Sequence, residues 1–141
     1  MLPLSPRSRF GFAFVLLARR WRRLLDRRIG ALGLTDATWT PLIHLDMAGE
    51  PITQTELAAL VGIEGSSLVR LLDILVGRGL VERRADPRDR RTRLIVLTEA
   101  GRAMLGDIRR VLAEAEAEML ADAGDAELAA ALDLFDRIDQ R

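Results

Sequence analysis

The side chains with the most distinctive chemistry in this chain are arginines, and they crowd one short polar segment. Residues 85–92 read ADPRDRRT and hold the guanidinium groups of Arg88, Arg90 and Arg91. A guanidinium is a planar fork of donors that fits phosphate oxygens and the acceptor edge of guanine. Taken alone, such a segment is usually a solvated turn. When the same cluster follows a helix-turn-helix along the chain, it indicates contact with phosphates and with a narrow minor groove.

Two acidic residues, Asp86 and Asp89, interrupt this cationic segment. A carboxylate beside phosphate is unfavourable unless it has another purpose, and orienting a neighbouring arginine is such a purpose. We expect Asp89 to hold Arg91 or Arg88 by a paired hydrogen bond and to leave Arg90 facing the nucleic acid. Asp86 and Asp89 are therefore predicted to orient the arginines without binding the ligand themselves.

A second polar group, Ser66, Ser67 and Arg70, stands where a helix is predicted to begin. Serine hydroxyls donate to or accept from either base edge, and an arginine one turn later can reach O6 and N7 of guanine. Arg70 is the main candidate for reading a base. A surface ion pair between Arg70 and Asp73 is the alternative.

The composition leaves little room for other chemistry. The 141 residues contain no cysteine, no tyrosine and one histidine, His44, and 49% of them are hydrophobic. Disulfides, cysteine nucleophiles and zinc-cysteine sites are excluded. There is no glycine-rich phosphate loop and no paired set of metal ligands. We therefore expect one globular domain, residues 1–141, that is not an enzyme and needs no metal or cofactor.

The net charge is zero, but the charge is segregated along the chain. Residues 1–34 carry a net +7 and residues 70–110 a net +5, against −5 for residues 35–69 and −7 for residues 111–141. All 21 basic residues are arginines. A neutral total can therefore conceal a basic surface that meets phosphate, provided that the acidic segments fold away from it.

An apolar run at residues 10–18 faintly imitates a secretory signal. Four arginines follow within five residues, there is no small-residue cleavage site, and the run is too short to cross a bilayer. We therefore predict a cytoplasmic protein without membrane contact.

Helical periodicity is clear in the first half of the chain. Apolar residues recur at helical spacing over residues 10–29, and a second helix begins near Thr35. Pro41 should bend this second helix, unless the helix starts later. Thr53, followed three residues on by glutamate, forms a capping box that opens a helix over residues 54–60.

The next elements complete a recognisable motif. A helix opens at Ser66 or Ser67 and ends at Gly77, so two helices are joined by a short glycine-bearing turn, as in a helix-turn-helix. Residues 80–84 and 93–97 are β-prone and form a hairpin with an arginine-loaded tip. The predicted fold is mainly α with a small β-hairpin wing (α+β), that is, a winged helix-turn-helix.

Long helices flank this winged-helix lobe, which spans about residues 35–97. The flanking segments, about residues 8–30 and 98–140, each show an apolar stripe, and Thr98 is predicted to cap the second of them. The lobe is expected to build its own core, so the stripes need a partner. We expect a homodimer that sets two recognition helices about 34 Å apart on one face of DNA.

Residues 57–101 resemble the MarR/SlyA family of bacterial transcriptional regulators. The resemblance rests on GIEGSSLVRLLD at 62–73, GLVER at 79–83, DPRDRR at 86–91 and LTEAG at 97–101, and it extends to the terminal helices. It implies a homodimer of winged helices that binds pseudo-palindromic promoter DNA and is commonly released by small aromatic acids.

The same resemblance implies roles for individual residues. Ser67 and Arg70 match contacts of the recognition helix, and Arg90 matches a wing arginine that enters the minor groove. Two departures stand out. Ser66 lies where proline is frequent among the nearest relatives, and Pro41 interrupts a helix that helps to line the effector pocket.

An effector site is a weaker hypothesis, built on Arg20, Trp39 and His44. In related proteins the first two helices flank the effector cavity, so these residues are candidates for binding an aromatic carboxylate. Core packing of Trp39 and an unremarkable His44 are the plainer alternatives.

The favoured interpretation is a dimeric, sequence-specific regulator of transcription, acting as a repressor tuned by a small aromatic or phenolic ligand. A ligand-independent architectural DNA-binding protein would share the same fold and wing. A protein-interaction module built on a winged helix is the third possibility, and it predicts no salt-dependent affinity for DNA.

Overall fold

The computed structural model describes residues 5–49 and 51–141, apart from the side chain of Asp36. Over these residues the chain forms six helices and three short strands. In chain order they are α1 (Pro6–Gly30), α2 (Asp36–Ala48), β1 (Ile52–Thr53), α3 (Gln54–Val61), α4 (Gly65–Gly77), β2 (Val81–Asp86), β3 (Asp89–Leu97), α5 (Glu99–Met119) and α6 (Asp125–Asp139). The predicted fold class, mainly α with a small β wing, is confirmed.

Hydroxyl side chains start three of the helices, because a hydroxyl oxygen can accept one of the free N–H groups of a first turn. The Oγ of Ser5 accepts from the N–H of Ser8 at 3.1 Å. Thr53 accepts from the N–H of Glu56 at 3.1 Å, and Thr98 from the N–H of Gly101 at 3.0 Å. The two threonine caps are those that the sequence predicts.

Helix α2 contains Pro41 in its interior and still begins at Asp36, directly after its N-cap residue Thr35. The alternative of a later start is therefore wrong. Pro41 is fully buried, so its ring adds to the core at the position where it removes a backbone donor.

The wing is larger than the predicted hairpin. Strands β2 and β3 pair antiparallel, and the two-residue β1 joins the other edge of β3, which gives the order β1-β3-β2. Ile52 of β1 lies opposite the buried Ile95. Both hairpin strands extend beyond their predicted ends, so only Pro87 and Arg88 remain between β2 and β3. The predicted tip of residues 85–92 is thus mostly strand.

The core is shared between the lobe and the flanking helices, which corrects the expectation of a self-contained lobe. The buried cluster of the lobe continues into Leu25 and Ile29 of α1 and into Leu105 and Ile108 of α5. Gly101 allows α5 to approach the start of β2. A Cβ at Gly101 would lie 2.0 Å from the carbonyl oxygen of Leu80, so no side chain fits there.

The outer parts of the flanking helices carry exposed apolar side chains. Within Asp125–Asp139, no residue of α6 is buried. The ring of Phe14 on α1 meets that of Phe135 on α6 edge to face, with 5.5 Å between centroids. We call the following exposed side chains of α1 and α6 the apolar surface: Phe10, Phe14, Leu17, Leu132, Phe135 and Ile138.

None of the helices in the described ranges is both long and apolar enough to span a bilayer.

Candidate nucleic-acid interface

Helices α3 and α4 form the predicted helix-turn-helix. The turn between them requires Gly62, which has φ +80° and donates its N–H to the carbonyl of Ala58 at 2.9 Å. Helix α4 begins at Gly65, slightly before the predicted start, with Glu64 as its N-cap residue. The Glu64 side chain makes no cap hydrogen bond. The free N–H groups and the positive end of the helix dipole therefore lie at this terminus, where an anion is stabilised.

The predicted base-reading residues all lie at this end of α4. Ser66 and Ser67 are in its first turn, Arg70 is in its second, and all three side chains are exposed. Among residues 5–49 and 51–141, nothing forms a hydrogen bond or ion pair with the Arg70 guanidinium. Its donors are therefore available to an external acceptor.

The alternative of an Arg70–Asp73 ion pair is wrong, because a residue that the sequence analysis did not single out takes Asp73. Nη2 of Arg83, on β2, lies 2.7 Å from Oδ1 of Asp73. The same nitrogen lies 3.4 Å from the carbonyl oxygen of Val69. The signal for Arg83 was the two-residue period of a strand, since Arg83 shares a side of β2 with the buried Val81.

At the wing tip, both acidic residues bind the backbone. Oδ1 of Asp86 accepts from the N–H of Arg88 at 2.9 Å, and Oδ1 of Asp89 accepts from the N–H of Arg91 at 3.0 Å. Oδ2 of Asp89 lies 3.3 Å from the Thr92 hydroxyl. The expected paired bond from Asp89 to a guanidinium is therefore wrong. Aspartate side chains often accept a hydrogen bond from the backbone N–H two residues later in the chain, and here these bonds stabilise the turn.

The guanidinium groups of Arg88, Arg90 and Arg91 are exposed and have no carboxylate partner in the part of the chain that the structure describes. Arg90 and Arg91 lie in an irregular part of β3, between Asp89, which pairs with Asp86, and Arg93, which pairs with Ala85. We call Arg88, Arg90 and Arg91, together with Arg70, the arginine surface.

The structure does not bring the three predicted effector residues together. Arg20 lines an open groove of about 510 Å³ between α1 and α5, together with Leu17, Arg23, Trp21, Leu24, Arg27 and Met119. Neither Trp39 nor His44 is among the lining residues. The two are five residues apart on one helix, which separates their directions by about 140°.

Trp39 has structural partners of its own. Only 6% of the residue is exposed, and its indole N–H donates to Oδ1 of Asp26 at 2.9 Å. The guanidinium of Arg22 lies over the indole ring, 4.8 Å from its centroid. Trp39 therefore joins α2 to α1, which agrees with the plainer alternative of core packing. His44 is half-buried.

Comparison with known proteins agrees with this architecture. The model of the MarR family matches residues 32–92. The transcriptional regulator PA3341 is 40% identical in sequence, with a TM-score of 0.84 over 92% of this chain and 94% of that one.

Two further solved structures contain DNA. The transcriptional repressor CouR bound to a 23-mer DNA duplex is 30% identical, with a TM-score of 0.84 over 99% of each chain. A mutant MarR from E. coli complexed with operator DNA is 27% identical, with a TM-score of 0.81 over 91% of each chain. The family match and the identity to PA3341 over nearly the whole chain lead to one conclusion: this chain belongs to the MarR family of winged helix-turn-helix transcriptional regulators.

Proposed function

We propose that this protein is a homodimeric repressor that binds pseudo-palindromic promoter DNA in the cytoplasm and is modulated by a small aromatic or phenolic ligand. The observation that carries the proposal is the arginine surface. Arg70 on α4 and Arg90 on the wing belong to one lobe, and neither guanidinium group has a partner among the residues that the structure describes. Similar proteins, CouR and MarR from E. coli, have been solved bound to DNA.

Each group of residues has a proposed role. The N-terminus of α4 enters the major groove, where Ser66, Ser67 and Arg70 meet base edges. Arg90 enters the adjacent minor groove, because its narrow walls concentrate negative potential. Arg88 and Arg91 bind phosphates on either side of the wing, with Asp86 and Asp89 shaping the turn between them.

The apolar surface supports the homodimer. Leu17 and Leu132 are each 61% exposed in the single chain, and the rings of Phe10, Phe14 and Phe135 form a connected row from α1 to α6. A contiguous apolar patch of this kind marks a protein interface. Twofold pairing through it would present two α4 helices to successive major grooves and select inverted half-sites.

For the ligand, the groove that contains Arg20 is the site we favour. An aromatic carboxylate could place its ring against Trp21 and Leu24 and its charge near Arg20. A ligand that prefers one spacing of the two lobes would shift the dimer toward that spacing and so change its affinity for DNA. In this proposal Trp39 and His44 respond through α2 and do not touch the ligand. Ligand-induced thermal stabilisation by salicylate, lost in Arg20→Ala, is the expected result, whereas an unchanged melting temperature would favour a ligand-independent architectural protein.

Selection of bound duplexes from a random library tests DNA recognition. The expected motif has two inverted half-sites about 10 base pairs apart, and a reporter promoter carrying it should be silenced by the protein. Arg70→Ala should cost about 1–3 kcal/mol of binding free energy and relax one base position in each half-site. Equal losses on selected and random DNA would contradict the role of Arg70. Failure to bind any duplex at low salt would instead favour a protein-interaction module.

A further inference from the structure

Asp73 has two arginines within its reach, and the structure pairs it with only one of them. Arg70 precedes Asp73 by three residues on α4, a spacing at which side chains of opposite charge meet on a helix surface. Asp73 nevertheless binds Arg83 of β2 at 2.7 Å, and Arg70 is left exposed. Arg70 and Arg83 therefore compete for the Asp73 carboxylate, and Arg83, the more distant of the two in sequence, forms the ion pair.

The position of Arg83 explains this outcome. Its side chain is only 26% exposed, since it lies on the side of β2 that faces α4. Its Nη2 is shared between the Asp73 carboxylate and the carbonyl of Val69, so two acceptors on α4 hold it. An exposed pair between residues three apart on a helix has no such second acceptor and is worth little.

We propose that Arg83 is a positioning residue that occupies Asp73 and thereby keeps the Arg70 guanidinium available for a base edge. The inference rests on the proposed role of Arg70 in reading DNA. Without Arg83, Asp73 would draw Arg70 into an ion pair, and the Arg70 guanidinium would no longer be available to the base. Arg83 would thus determine specificity without touching DNA.

The first test is Arg83→Gln, assayed on the selected operator and on variants at the base position that Arg70→Ala relaxes. We expect operator affinity to fall about 3- to 10-fold, with loss of discrimination at that position. The matched control is Arg84→Gln. It removes the same charge from the next residue of the strand, but Arg84 is paired with Glu82 at 3.0 Å and not with α4. Its discrimination should equal that of the wild type.

The second test is rescue. Asp73→Asn in the Arg83→Gln background removes the competing carboxylate, so discrimination should return to within about twofold of the wild type. If the Arg83–Asp73 pair served only to hold the wing against α4, the double variant would still lack that pair, and discrimination would stay lost. Continued loss of discrimination would therefore overturn the proposal. In an Arg70→Ala background, Arg83→Gln should cause no further loss of discrimination. An additional loss there would also overturn it.

Asp73→Asn alone guards against a variant that fails to fold. It leaves Arg83 in place and frees Arg70 from any acidic neighbour, so discrimination should be retained, whereas a required brace predicts that it is lost. Direct phosphate contact by Arg83 would lower the slope of log K against log salt by about 1 in Arg83→Gln, and this would also overturn the proposal. If the wild type binds the operator and Arg70→Ala relaxes one position while Arg83→Gln does not, this inference alone fails. If the wild type binds no duplex, the proposed function fails.

Discussion

The apolar surface and the arginine surface are both exposed, but one is hydrophobic and the other is charged. On α1 and α6, apolar side chains are exposed to water, although Phe14 and Phe135 make an edge-to-face contact. On the lobe, guanidinium groups stand in water without a described carboxylate partner. Exposure of the apolar surface to water is unfavourable, whereas charged arginine side chains are normally found exposed.

This difference indicates which partner is permanent. Exposed apolar area favours an association that persists, while charged contacts with phosphate depend on salt and exchange readily. Helix α1 shows the change within one element. Leu25 and Ile29, near its C-terminus, are buried in the core, whereas Phe10 and Phe14, near its N-terminus, are exposed. We infer that a second copy covers the exposed half and that DNA is the exchangeable partner.

The largest expected effect comes from charging the apolar surface. Phe14→Asp combined with Phe135→Asp should give a monomer by sedimentation, because two carboxylates would have to be buried in the interface. Operator affinity should then fall by about 100-fold or more, since the avidity of two linked lobes is lost.

The matched control is Leu60→Asp, which changes a residue of α3 that is 52% exposed and lies outside the apolar surface. This variant should remain a dimer. A double variant of Phe14 and Phe135 that still sediments as a dimer would place the interface elsewhere.

An intermediate effect is expected at the wing. Arg90→Ala should weaken binding to all duplexes and reduce the slope of log K against log salt by about 1, because one cationic contact is removed. Arg84→Ala, on the neighbouring strand and already paired with Glu82, is the control and should leave the slope unchanged. The slope is obtained from fluorescence anisotropy titrations at several salt concentrations. A wild-type slope in Arg90→Ala would contradict the proposed contact between Arg90 and DNA.

The smallest expected effect is on stability and comes from an ion pair between α1 and α5, which belongs to neither surface. Arg28 donates to both carboxylate oxygens of Glu118, and these hydrogen bonds lower the pKa of Glu118 below its ordinary value of 4.5. The pair therefore stabilises the fold above that pH and stops doing so as the pH falls through the lowered pKa. The Glu118 side chain is 62% exposed, so the contribution is small.

Glu118→Gln should accordingly lower the Tm slightly at neutral pH, and the difference from the wild type should vanish in acid. Differential scanning calorimetry at several pH values measures this. Glu116→Gln, which changes an exposed neighbour on α5 outside this ion pair, is the matched control and should have the Tm of the wild type at neutral pH. A Tm difference that persists in acid would mean that Glu118 acts through something other than its charge.

Much of the fold was predictable because its signals are local. Thr53 and Thr98 mark the starts of their helices, because each hydroxyl accepts a hydrogen bond from the N–H three residues later. The two-residue β1 carried no such signal. Its pairing of Ile52 with Ile95 spans more than forty residues of chain, and two residues are too few to show a strand period.

The candidate site also has a part that the sequence predicted and a part that it left open. Spacing along α4 placed Ser66, Ser67 and Arg70 at one helix end, and the structure has them there. Spacing along α4 did not determine the partner of Asp73. That partner is Arg83, because the fold packs β2 against α4.

Amino-acid order was thus sufficient for the helices, the threonine caps of α3 and α5, the segregation of charge and the residues at the wing tip, since all of these depend on neighbours within about one helical turn. Folding in three dimensions chose between competing partners. It paired Asp73 with Arg83, and it buried Trp39 against Asp26, away from the groove that Arg20 lines. Such choices depend on which distant segment arrives beside a side chain, and periodicity within one element carries no record of that.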